Sequence, residues 1–511
     1  MQLSFSFDLA NNFDMDDEVF LVYNIVEEMN LSFLNNAYSS KGRKPVAEPR
    51  TMLKILVFAY LNRKYSARDI EDACKYDLRF RWLLDNRKAP DHVTINRFRN
   101  SIYPFMDEIL TQLVKLLMEQ GEVDLKSIYI DGTKIESNAN KYTFVWKKSI
   151  LKYQERLLEN ICKHLNISRD LSSEEIKNLV LMEFNNIRNI CKSKSISFVC
   201  GQGKRKTEEQ RKYELYEEWI DKLKKYENHL NIMGERNSYS KTDKDATFMR
   251  LKDDHMKNGQ LKPVYNIQCV TNGGYIVDIE GFSNPADMRT LPPFMDNILE
   301  KFPNKIDRIV AGSGYESEEN YLYLKNKQID AFIKPSNYEV KKTSKYKKDI
   351  SRKENMTYFE GDDYYVCSNN KKLEFEKNIY RKNAYGFKSE TKIYLCKDCL
   401  NCIDSNICIK LKNKENLKRI YISKRFENFR DESEKNISTK EGIIERINRS
   451  IQAEGIFSYI KTGMNYSRFR HKSMEKIISE MKLLSVAINI KKLSSKIRSN
   501  KMGFTKYKEA I

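Results

Sequence analysis

Two apolar runs, PVYNIQCVT at 263–271 and YIVDIEGF at 275–282, are separated only by Asn272, Gly273 and Gly274. Strand-forming residues on both sides of an Asn-Gly-Gly break specify a tight antiparallel hairpin. Upstream, DLKSIYIDGTKIE at 124–136 has the same character, with Ile128, Tyr129, Ile130 and Ile135, and Gly132 is expected to end its strand. Downstream, RIVAGSGY is a short strand running into glycines, and AFIKPS is another. The helical segments LPPFMDNILEKF and SEENYLYLKNKQ precede them. Strands joined by helices run parallel. The expected core is therefore α/β, a mixed sheet with crossing helices.

The remaining chain is largely helical. Residues 49–118 contain several short helices, with Pro49 at one start, Ser66 and Asp69 resembling a capping box, and Asp91 as a cap before His92. The helix carrying Thr94, Asn96, Arg97 and Arg99 suits a helix-turn-helix module, with Arg97 and Arg99 facing DNA. An ordinary helical bundle with a basic face is the alternative. ILKYQERLLENICKHL and TEEQRKYELYEEWIDKLKKYENHL are expected to pair as a helical hairpin, with GQGKRK at 201–206 as the loop. Residues 337–440 read as irregular and Lys-rich, and 441–493 as helical. The chain thus divides into a helical N-terminal domain (1–120), a first piece of core (121–146), a helical insertion (147–240), core strands and helices (241–336), a cysteine-bearing insertion (337–440) and C-terminal helices (441–511).

Lys and Arg number 91 against 71 Asp and Glu, so the net charge is +20. The first thirty residues hold seven acids and no Lys or Arg, which places the positive charge later. Such an excess suits a polyanion, nucleic acid first, although an AT-biased genome also raises Lys. With Gly at 18 and Pro at 10, collagen-like and wholly disordered classes are excluded. No run approaches the ~18 apolar residues of a membrane span. The N-terminus lacks the basic start of a secretory signal, so a reducing cytoplasm is expected.

Asp131 closes the run SIYI, where a short carboxylate can hold a metal, but a turn Asp also bonds backbone. Glu454 lies among Ala453, Gly455, Ile456 and Phe457, and Lys461 is two helical turns on. Arg468, Arg470, His471 and Lys472 form a basic loop suited to phosphates. Cys367, Cys396, Cys399, Cys402 and Cys408 are dense enough for a zinc site, with free thiols and an iron–sulfur cluster as alternatives. Cys74, Cys162, Cys191, Cys200 and Cys269 are scattered packing thiols. His92, His255 and His471 show no ligand spacing, and His255 is read as a solvated loop residue.

IDGTKIESNANKYTFVWKKS, RNSYSKTDKDATFMRLKDDHMKNGQLKPVYNIQ, GYESEENYLYL and RSIQAEGIFSYIK, in that order, resemble bacterial insertion-sequence transposases of the DDE class. Pro49 to Arg99 resembles their InsH-type N-terminal domain. The resemblance implies a ribonuclease H-like core, two Mg²⁺ or Mn²⁺ ions, and cutting and joining of double-stranded DNA at terminal inverted repeats and target sites. It implies Asp131 as the first carboxylate, Glu454 as the third, and Lys461 on a DNA phosphate. Arg449 matches a basic position one residue off the commonest spacing. A homodimer or larger assembly on DNA, in a bacterial nucleoid, is also implied. The second Asp should stand before Ser313-Gly314-Tyr315, where this chain has Gly312. Asp307, Glu316, Glu318 and Glu319 are poor substitutes by position, and Asp278 and Asp287 are given no metal role. An impaired transposase is the leading expectation. An inactive end binder or repressor and a plain metal-dependent nuclease are the alternatives.

Overall fold

The computed structural model describes residues 13–37, 45–85, 87–201, 203–251, 259–383, 386–399, 402–410, 417–504 and 506–507. His255 lies outside them. The molecule is mixed α/β, with a helical N-terminal region and a six-stranded mixed sheet. The sheet contains β1 (Ser127–Glu136), β2 (Thr247–Arg250), β3 (Leu261–Asn272), β4 (Tyr275–Phe282), β5 (Arg308–Ala311) and β6 (Asp330–Ile333). Its main order is β4-β3-β1-β5-β6, and β2 pairs with the start of β3. β1 is antiparallel to β3 and parallel to β5, and β6 continues in parallel.

The Asn-Gly-Gly hairpin forms as expected. Gly273 and Gly274 have φ of +61° and +80°, values that a type I′ turn requires. A Cβ on Gly273 would also lie 2.3 Å from the Glu122 carbonyl oxygen. Gly132 does not end β1, which runs on to Glu136. It pairs with Gln268, whose amide fills the space a Cβ would need. This glycine allows close approach instead of breaking the strand.

Helix Pro49–Leu61 is buried over the ten residues from Met52 to Leu61. A helix apolar on all sides needs cover on all sides. Helix Glu18–Glu28 and the C-terminal helix Met474–Arg498 pack against it. The C-terminal helix also packs on β4 and on helix Met106–Glu119, so one apolar core runs from Val19 to Leu493. The Asp91 cap is present, its carboxylate accepting the Thr94 amide at 2.6 Å. The Ser66 side chain makes no such bond.

Two expectations change. The insertion is three helices, Lys147–Leu165, Ser173–Ser193 and Glu208–Met233, around its own core of Leu158, Ile161, Ile176, Val180, Ile220 and Leu223. Its middle helix starts with a capping box from Ser172 and Glu175. Segments Phe144–Trp146 and Ser238–Ser240 pair and close its base. The region expected to be irregular contains an antiparallel sheet of β7 (Thr357–Phe359), β8 (Tyr364–Val366), β9 (Lys372–Lys382), β10 (Lys388–Cys396) and β11 (Lys418–Ile422), in the order β11-β10-β9-β8-β7. Its charged residues crowd exposed faces, which hides the alternation.

The C-terminal helix is anchored by ions. The Lys482 ammonium is bonded to Asp107 and lies 2.8 Å from Glu280 and 3.6 Å from Asp278. Lys301 reaches Asp107 at 2.6 Å and Asp278 at 2.7 Å. Two lysines thus offset most of the charge of three gathered acids, leaving a formal excess of one negative charge. Burial still pushes the Glu280 carboxyl up from its ordinary value. Lys482→Met is expected to lower stability by about 3 kcal/mol or more, because removing one partner leaves buried charge uncompensated. Lys482→Met/Glu280→Met should recover part of the loss. Urea unfolding measures both; a neutral single variant would contradict the anchoring role.

Candidate active site and nucleic-acid surface

β1 and β5 lie side by side with Tyr129 opposite Val310. Two residues further along each strand come Asp131 and Gly312. Side chains alternate along a strand, so Tyr129 and Asp131 point the same way, toward helix Lys440–Arg449. Tyr129 donates to Glu445 Oε2 at 2.6 Å and Ser127 to Oε1 at 3.0 Å. Glu445 is fully buried and also bonded to Lys506. These contacts fix the helix over the strand. One turn beyond Glu445 comes Arg449.

Arg449 joins the two expected carboxylates. Its Nη2 donates to Asp131 Oδ1 at 3.1 Å, and its Nη1 donates to Glu454 Oε1 at 2.8 Å. Ser450 Oγ donates to Glu454 Oε2 at 3.1 Å. A Cβ on Gly312 would stand 2.9 Å from the same Nη2. Positions 131, 312 and 454 therefore surround one guanidinium. The φ of Gly312 is −77°, ordinary for any residue. The nearest neighbour of a Cβ there is the flexible end of Arg449.

The helix shape makes this bridge possible. At 3.6 residues per turn, residues five apart are rotated by about 140°. Here Ser450–Glu454 is a π turn, and Tyr459–Gly463 is another. A π turn takes up roughly one more residue than an α turn. The five-residue offset from Arg449 to Glu454 thus brings both onto one side. Lys461 lies on the second π turn and is half-buried.

Acids near Gly312 in sequence are held elsewhere. Glu316 is buried, accepting from Arg430 at 2.6 Å and from the Ser336 amide at 2.9 Å. Glu318 accepts from Arg425 and Ser423, and Glu319 from Arg289 and Asn383. Asp287 accepts from Asn266 at 2.9 Å and Gln268 at 3.1 Å. Gln268 faces Gly132, so by alternation this network occupies the other side of the sheet from Asp131.

The basic loop docks on the far end of β1. The Phe469 amide donates to the Glu136 carbonyl at 2.9 Å, and Asn138 donates to the Arg470 carbonyl at 2.9 Å. Arg468, Arg470 and Lys472 are exposed, as is Arg97. Arg99 is a correction. It is buried, donating at 2.9 Å to the Tyr65 carbonyl and at 2.5 Å to Asn96. Tyr65 in turn donates to the Met464 carbonyl at 2.6 Å, and Arg470 lies over its ring. Arg99 braces the loop from beneath and does not face DNA. His471, in that loop, is pushed down to about 4 by burial and by Arg99, Lys476 and Arg470.

The cysteines gather around the end of β10. Burial, then the neighbouring Cys399, pushes the Cys396 thiol up to about 12, and burial also raises Cys408. Asn369 donates to Cys402 at 3.2 Å. Among the described residues no three of these sulfurs lie within 4.8 Å of one another.

Residues 366–494 match the family described as a transposase DDE domain, and residues 7–101 match a transposase domain (DUF772). No curated protein and no solved structure matches the chain. The first match contains Glu454; Asp131 and Gly312 lie outside it. A DDE domain implies divalent metal use in general. Two ions need oxygen ligands between them. Here position 312 offers none, and a guanidinium spans the other two carboxylates, so the pocket as it stands does not fit a two-ion site. Arg449→Gln removes the competing cation. It is expected to bind Mn²⁺ at least about tenfold more tightly than the natural chain, roughly 1.4 kcal/mol. Electron paramagnetic resonance titration reads this out; equal affinities would show that Arg449 does not shield the acids.

Proposed function

Both matches are to transposase domains, which supports a DDE-class insertion-sequence transposase; on that premise we propose that this chain binds the double-stranded terminal repeats of its element and carries a strand-cleavage and transfer site impaired by Gly312. The observation that carries the reading is the meeting of Asp131, Glu454 and position 312 around Arg449. The strand order β4-β3-β1-β5-β6, with β1 antiparallel on one side and parallel on the other, supports a ribonuclease H-like core.

The class breaks and rejoins phosphodiester bonds with divalent ions, Mg²⁺ or Mn²⁺, held by three carboxylates. In this chain Asp131 and Glu454 are the two carboxylates that would be left to hold an ion once Arg449 is displaced from them. Arg468, Arg470 and Lys472 would position the backbone through phosphate contacts, with Lys461 beside the pocket and Arg97 on the N-terminal helices. Arg449 is placed to hold a phosphate when DNA displaces it from the acids. Two ends are joined in one event, so a homodimer or larger assembly belongs to the reading, as does action in the bacterial nucleoid. The three-helix insertion is a candidate assembly surface.

A second reading is favoured by the Arg449 bridge itself. A pocket neutralised from within suits an end-binding protein or repressor that no longer cuts. The test is Mg²⁺-dependent nicking of duplexes ending in the element's repeats. Gly312→Asp is expected to nick at least about 100-fold faster than the natural chain, about 2.7 kcal/mol of barrier. Full activity in the natural chain would show that another acid completes the site. End-specific binding without nicking in either form would favour the repressor.

Within the same reading four of the five cysteines are a candidate zinc site, one that requires their sulfurs to draw closer together than they stand here. One zinc per chain by elemental analysis of purified protein is expected; absence of stoichiometric metal removes the site.

A further inference from the structure

From the second sheet we infer a DNA-backbone cleft separate from the carboxylate pocket; the inference rests on the DNA-binding reading above and extends it to a region with no role there. A cleft of about 750 Å³ opens between the β9–β10 hairpin, the end of β11 and the start of helix Glu318–Asn326. Its walls carry six cations, Arg381, Lys382, Lys388, Lys392, Lys424 and Arg425. Only two acids, Glu318 and Glu390, share them.

Half of these cations hold the cleft together. Lys392 and Lys424 reach Asp363 at 2.8 and 3.2 Å, and Arg425 reaches Glu318 at 2.6 Å. The other half, Arg381, Lys382 and Lys388, are exposed and make no ion pair among the described residues. Lys382 and Lys388 are direct cross-strand partners. Like charges placed opposite one another on a sheet repel and are destabilising. A polyanion in the cleft removes that repulsion, so the free protein carries a cost that phosphate relieves.

The cleft is also tied to the site by short connections. Asn383, just past β9, donates to Glu319 at 2.9 Å. Glu318 and Glu319 open the helix that follows Gly312 by six residues. The cleft is thereby joined to the segment that leaves the sheet at Gly312, and a duplex engaging it would do so as a second backbone contact. Phosphate oxygens on successive nucleotides match a row of cations better than a single small anion does.

The experiment uses the full chain and a repeat-ended duplex of about 40 base pairs, with affinity measured over a salt series. Arg381→Gln/Lys382→Gln/Lys388→Gln removes the unpaired charge and the Lys382–Lys388 repulsion, so loss of the fold is not the expected outcome; circular dichroism checks it. Arg468→Gln/Arg470→Gln/Lys472→Gln is the comparison. The cleft variant is expected to bind about tenfold or more weakly near 0.15 M salt, with the slope of log K against log salt reduced by about 2 to 3. It should also lose hydroxyl-radical protection of one backbone segment that the loop variant keeps. Unchanged affinity, slope and footprint, with the loop variant weakened, would overturn the cleft and leave the DNA-binding reading intact. A natural chain that binds no duplex would overturn both.

Discussion

β1 has neighbours of opposite sense on its two sides, and this asymmetry governs the site. Antiparallel pairing to β3 puts Cys269 opposite Asp131. Parallel pairing to β5 sets Tyr129 opposite Val310, which brings Gly312 level with Asp131. A slip of one residue on either side would turn Asp131 to the other face. Ser127 and Tyr129, on the same face, seize buried Glu445 and so orient the helix that carries Arg449 and Glu454. Ladder register, more than any single ion pair, decides which acids meet.

Much of this arrangement is legible in the sequence. The hairpin at 272–275, the Pro49 helix start and the Asp91 cap all follow from local turn and cap chemistry, which acts within a few residues. The second sheet was hidden because KLEFEKNIYRK mixes charges into an exposed strand, and only Leu373 in it is fully buried. The middle helix of the insertion is hard to read from sequence because only Ile176, Val180, Ile187 and Cys191 in it are buried. Positions 131, 312 and 454 could be singled out through motif resemblance, because pairing across hundreds of residues leaves no periodic trace. Arg99 looked surface-bound from its charge, but a buried carbonyl at Tyr65 needed a donor. The signal for Glu445 was its place one turn before Arg449, which points both residues toward the same strand.

The N-terminal helices and the sheet share one core, so the two regions cannot be treated as beads on a string. Tyr65 and Met464 are linked by a hydrogen bond of 2.6 Å, and Lys491 donates to the Leu61 carbonyl at 3.4 Å. The basic loop rests at this junction, between Tyr65 on one side and Glu136 on the other. The loop is thus held by contacts to both regions.

The wide turn at Ser450–Glu454 has an implication for how such chains diverge. It holds a surplus residue without breaking the helix, so insertion and deletion need not move the groups that matter. A cousin one position shorter could show the same basic and acidic side chains from an unbroken α-helix. Spacing counted along the polymer is then a poor ruler for kinship here; the angle at which two groups leave the helix axis is the better one.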